Sequence, residues 1–160
     1  MMKTKELERK ELECLTFMKN KDYQAFKYLF NGFQSVYEQT KTKYTTQVKA
    51  SYLMILFSED WQEYLYYLQK LDYEDLSDKF IQFILKIEII LGEKNIDALK
   101  KERGKIKEFD DCLEKIILFA KDEQNKKYKM EQLVSEEIKE NDPMTTIKQC
   151  LKFSKKFNKV

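Results

Sequence analysis

Histidine is absent from this 160-residue chain, and there are only three glycines, one proline and three cysteines. Without histidine, catalysis near neutral pH would fall to carboxylates, thiols, amines or phenols whose pKa values the fold had shifted. Cys14, Cys112 and Cys150 are an odd number, widely spaced, with no C-x-x-C pair. That pattern fits neither a zinc site nor a disulfide framework and reads as reduced core cysteines. Gly32, Gly92 and Gly104 stand alone, so no glycine-rich phosphate loop can be drawn, and no metal or cofactor is expected. Long apolar runs are missing too. The longest, Tyr52 to Phe57, falls far short of the roughly 20 residues of a membrane span. The first fifteen residues carry charges at nearly every second position, unlike a secretory signal. A soluble protein of the cytoplasm and nucleus is the expectation.

Neither sign of charge dominates. Thirty basic residues against 28 acidic ones leave a net charge of +2, so no global attraction to nucleic acid or to an anionic membrane is expected. The shortage of glycine and proline starves turns of their usual residues and points to an all-α fold.

What the chain does have is an internal repeat. KDYQAF at residues 21–26 returns as EDWQEY at 59–64 and, more loosely, as KNIDAL at 94–99, at offsets of 38 and 35 residues between Tyr23, Trp61 and Ile96. Each copy follows an apolar run and opens an amphipathic one, with Asp22, Asp60 or Asn95 placed as a helix N-cap. Periods in the thirties with such a cap mark stacked helix pairs, in which each pair buries its face only against its neighbours. The expected architecture is therefore a TPR-like stack of helical hairpins over residues 1–125.

Helical periodicity predicts helices over residues 4–20 and 22–37, and an inner helix through Ala50 to Phe57, apolar almost all round. A partner helix carries the stripe Trp61, Tyr64, Leu65, Leu68 and Leu71; Trp61 and Tyr64 could line a binding groove, but their spacing matches that of the leucines beside them and both are read first as core. The next helix carries Leu76, Phe80, Phe83, Ile84, Ile87 and Leu91, with Gly92 as its C-cap. A thin outer helix over residues 95–107 follows, then a strong apolar face from Phe109 to Ala120. The polar run after it predicts a bend near Asn125, short helices near 128–133 and from an N-cap at Ser135, and a last helix opened by Asp142-Pro143.

Glu59-Asp60, Asp110-Asp111 and Glu136-Glu137 are adjacent acidic pairs. Neighbours on a helix do not face each other, so the pairs read as solvated faces and not as a shared catalytic site. The last helix has two faces. Met144, Ile147, Leu151, Ser154 and Phe157 form a packing side, with Lys148, Lys152, Lys155 and Lys159 opposite. The lysine ridge could touch phosphates, but without arginine or a base-reading side chain it reads first as a solubilising face at the negative end of a helix dipole.

The order of these pieces, carried by KDYQAFKYL, YLMILFSEDWQEYLYYLQKL, EIILGEKN and EFDDCLEKIILFAKDE, resembles the PCI-domain family, most closely the smallest PCI subunit of the proteasome regulatory-particle lid. YKMEQLVSEEI and MTTIKQCLKFSKKFNK look like parts of its winged helix, so residues 126–160 are expected to form a reduced, PCI-like end continuous with the stack. That end would lack the wing and C-terminal helix into which the family continues. The resemblance implies a non-catalytic structural subunit of the lid in ubiquitin-dependent degradation. Its partners would be other lid PCI subunits, with no small-molecule substrate and no homo-oligomer, and contact would run through Ile147, Leu151 and Phe157 beside Lys148, Lys152 and Lys155. The small PCI subunits of the signalosome and of initiation factor three share the plan. A free-standing TPR-like peptide adaptor and a nucleic-acid-binding winged helix are the other readings.

Overall fold

The computed structural model describes residues 3–140, and every regular element among them is helical. The elements are α1 (Thr4–Lys19), α2 (Tyr23–Phe33) with a 3-10 extension to Glu38, α3 (Thr45–Glu59), α4 (Trp61–Lys70), a one-turn α5 (Tyr73–Leu76), α6 (Lys79–Gly92), α7 (Ile96–Lys101) and α8 (Asp110–Glu140). The chain divides into two units, Met1–Ala120 and Lys121–Val160. The described part of the second unit is the continuation of α8 to Glu140. It carries an i,i+3 ion pair between Lys126 and Glu123.

Each copy of the repeat is the turn of a helical hairpin. The Asp22, Asp60 and Asn95 carboxylate or amide oxygens accept from the amides of Ala25 at 3.3 Å, Glu63 at 3.2 Å and Ala98 at 3.1 Å, three residues on in every case. The first and third turns also share a stop signal. Lys21 and Lys94 take left-handed φ values of 60° and 59°. Their amides reach back to Met18 and Leu91, while those of Asp22 and Asn95 reach the Phe17 and Ile90 carbonyls, a Schellman closure. Gly92 is thus the last helical residue of α6, and the left-handed position belongs to Lys94. The middle turn is tighter, with Asp60 serving as C-cap of α3 and N-cap of α4 at once.

The hairpins α1–α2, α3–α4 and α6–α7 pack within themselves, and their first helices lie side by side in the order α1, α3, α6. The middle helix is walled on both sides, so Val48, Ala50 and every residue from Leu53 to Phe57 are buried. Phe26 and Phe30 of the first hairpin meet Tyr52 of the second, with Phe30 and Tyr52 ring centres 4.4 Å apart, Phe30 also meets Tyr67, and Phe33 and Tyr37 pack on Phe30. In the first three turns of α8, Cys112, Leu113, Ile116 and Ile117 are buried. There the Tyr23 hydroxyl donates to Asp111 at 2.7 Å.

Several expectations need correction. Tyr64 is fully buried, but Trp61 is 46% exposed and Leu65 37%, because the buried stripe of α4 passes through Tyr64, Tyr67 and Leu71. The buried line of α6 is Ile81, Ile84, Ile87 and Ile90; Ile84 and Ile87 were expected there, while the expected Phe80, Phe83 and Leu91 are half-buried. α7 ends at Lys101, not near Lys107. α8 runs unbroken through Asn125, so the expected bend, the separate short helix at 128–133 and the cap at Ser135 all fall inside one helix. The expected helix from Asp142, with Ile147, Lys148, Leu151, Lys152, Lys155 and Phe157, lies outside the described residues, as does Cys150.

Candidate functional site

Among the described residues, two concavities of several hundred cubic ångströms open on the first unit. The larger, about 560 Å³, lies between the first two hairpins and α5, walled by Phe30, Tyr37, Lys41, Lys49, Tyr67, Asp72 and Asp75 among others. Four of its charged side chains are already paired. Lys49 pairs with the buried Asp75 at 2.9 Å and sits 5.5 Å from the centre of the Tyr37 ring. Lys41 bridges Asp72 at 3.0 Å and Glu74 at 3.2 Å. The Asp75 amide bond and the Lys41 ammonium hold the Asp72 carboxyl down at about 2. Behind this wall, Glu11 of α1 is buried where Tyr37 donates to it at 2.7 Å and Thr42 donates to its other oxygen. These bonds tie α1, the α2 extension, α3 and α5 together, which is structural work.

The second concavity, about 470 Å³, differs in kind. Phe57 at the end of α3, Trp61 at the start of α4, Leu91 near the end of α6, and Ile116 and Phe119 of α8 give it an apolar lining. Ser58, Glu59 and Asp60 are its polar members, and no lining residue is cationic. Phe119 is 60% exposed, and its neighbour Leu118 equally so. Trp61 is exposed but held in place. Its ring stacks on Tyr64 with centres 5.1 Å apart and meets the Phe57 ring edge-on at 5.4 Å. Tyr64 is itself anchored by donating its hydroxyl to Glu88 at 2.7 Å, and burial with that bond pushes its pKa well above the ordinary phenol value. A large aromatic already fixed at a water-exposed groove edge has little side-chain freedom left for binding to remove, a usual trait of interface anchors.

The members of the first two acidic pairs are not merely solvated, and each has its own partner. Glu59 pairs with Lys27, Asp60 caps α4, Asp110 accepts from the Gly104 amide at 2.9 Å, and Asp111 accepts from Tyr23. Cys14 and Cys112 are free and buried; burial pushes the Cys14 thiol up to about 12 and raises that of Cys112. Among the described residues no cluster of metal-ligating side chains occurs, and no helix is long and apolar enough to cross a membrane.

From sequence a groove was only the lesser reading of Trp61 and Tyr64, and its other walls, Leu91 of α6 with Ile116 and Phe119 of α8, come from segments far along the chain. Leu118-Phe119 held the available signal. Both fall off the apolar phase of Phe109, Cys112, Leu113, Ile116 and Ile117, and an apolar pair out of phase on an amphipathic helix must face something other than its own core.

Comparison with protein-family models, with curated proteins and with solved structures finds no match to this chain.

Proposed function

We propose that this chain is a non-catalytic scaffold that works by binding other protein chains, as a subunit of a larger assembly of the proteasome-lid type that its sequence resembles. The supporting observation is the groove at the second hairpin turn, where Trp61 stands exposed and locked between Phe57 and Tyr64 beside the exposed Phe119. A stack of hairpins is a rigid way to present such an anchor, because each pair is braced by the next. The sequence resemblance supplies the identity of the assembly. Under it, Ile147, Leu151 and Phe157 with Lys148, Lys152 and Lys155 form a second contact face.

The groove also favours a second reading, a free-standing adaptor that takes a helical segment of varied clients. Affinity purification of the tagged chain from its native cell, with identification of what copurifies, separates the two. The lid reading expects one fixed set of subunits in constant ratio, including other PCI subunits of the lid. Signalosome or initiation-factor subunits would replace the named complex while keeping the scaffold. A changing set of clients would favour the adaptor, and recovery of the chain alone would overturn both.

A further inference from the structure

The geometry points to a specific occupant for the groove between Trp61 and Phe119: an amphipathic helix of a partner protein that inserts large apolar side chains and sets a lysine or arginine against Glu59 and Asp60. This rests on the scaffold reading and names the chemistry of its partner. Four observations lead there.

The lining is apolar apart from Ser58, Glu59 and Asp60, so what enters must bring apolar surface. Its volume of about 470 Å³ accommodates more than one large side chain but no globular surface. The rim chemistry is one-sided. Glu59 uses Oε2 on Lys27, and Asp60 uses Oδ1 on the Glu63 amide. The second oxygen of each carboxylate remains as an acceptor at a groove that no cation lines, and charge complementarity calls for a basic neighbour to the apolar anchor. Finally, the groove is built from helix ends and one helix face, with no strand among the described residues. An extended peptide would find no sheet edge to satisfy its amides, whereas a helix arrives with its backbone bonds made.

The chain reports on this site directly, because Trp61 is its only tryptophan. The probes are two synthetic amphipathic helices with the same leucine and phenylalanine face, one flanked by lysines and the other by glutamates. Titrating each into the full chain, we expect the lysine helix to shift Trp61 emission to shorter wavelength and saturate, and to bind at least about tenfold tighter than the glutamate helix. Asp60→Asn keeps a good N-cap while removing its charge. Combined with Glu59→Gln, it should weaken the lysine helix about three- to tenfold and leave the glutamate helix unchanged or improved. Phe119→Ala, at an exposed position, should weaken both helices about tenfold without lowering the melting temperature. No emission shift with the lysine helix, equal binding of the two helices, or indifference to both variants overturns the assignment.

Failure here and failure of the scaffold reading are separable. Copurification undiminished by Phe119→Ala and by the Glu59→Gln, Asp60→Asn pair overturns the groove and leaves the scaffold standing. A chain that binds the lysine helix but is monomeric in the cell overturns the scaffold and leaves the groove.

Discussion

Removing the three N-caps is the sharpest probe of the repeat. Asp22, Asp60 and Asn95 each satisfy the amide three residues on, at 3.3, 3.2 and 3.1 Å. Truncating such a cap to alanine costs about 1 kcal/mol, within a range of about 0.5–2. The three caps share no hydrogen-bond partner, so their effects should add, and the triple variant should lose about 3 kcal/mol. That is a large fraction of the roughly 5–15 kcal/mol that holds a typical domain folded. Exchanging the cap types, Asp22→Asn, Asp60→Asn and Asn95→Asp, keeps an acceptor at each position and should change stability by less than about 0.5 kcal/mol. Urea melts at neutral pH measure all of these as shifts in midpoint at constant slope. The reasoning fails if an alanine variant is as stable as its Asn or Asp exchange, since the side-chain acceptor would then contribute nothing at that turn.

Three further outcomes follow from paired or buried groups. Lys49→Met strands Asp75, whose side chain is only 4% exposed, and should cost about 3–5 kcal/mol by the same melts, while adding Asp75→Asn should recover part of the loss; a cost below about 1 kcal/mol would mean the pair is solvated. On the acid side the folded chain holds two carboxyls below their ordinary values. Asp72 is held at about 2 by the Asp75 amide and Lys41, while for Glu102 the pull of Lys105 and Lys86 outweighs burial. A depressed folded pKa means the unfolded chain binds more protons, so stability present above about pH 4 should fall as pH drops toward 2, visible as a falling melting temperature. On the alkaline side burial raises Tyr23, Tyr37, Tyr64 and Tyr67, so their stabilising contribution, full below about pH 10, is lost as pH rises past it. Phenolate absorbance should then rise in two phases, exposed tyrosines such as Tyr28 and Tyr73 first and the buried four together with unfolding; one smooth phase would contradict the burial.

Local signals were legible in the sequence, and relations between distant segments were not. The caps and the hairpin turns could be read because a cap is a contact between residues three apart. On α6 the sequence picked out Ile84 and Ile87, which are buried, but set Phe80, Phe83 and Leu91 beside them in place of Ile81 and Ile90, because all are equally apolar; only the neighbouring helices decide which line faces inward. Trp61 looked like core for the same reason. The bend at Asn125 was a different error. Residues 121–127 are polar, but polarity alone does not break a helix; lysine, glutamate and glutamine are good helix formers, and neither glycine nor proline interrupts the run. The buried carboxylates Glu11, Asp75 and Glu102 left no trace in the pattern, since each owes its place to partners that the fold supplies.

The central claim, that this chain works as one part of a larger protein assembly, is tested most directly by the native size of the endogenous protein in a gently prepared cell extract, followed by gel filtration with detection of this chain. The account predicts elution in a single large species well above the 19.5 kDa of the chain, with the other subunits in the same fractions. Elution of the whole population near 19.5 kDa would contradict it.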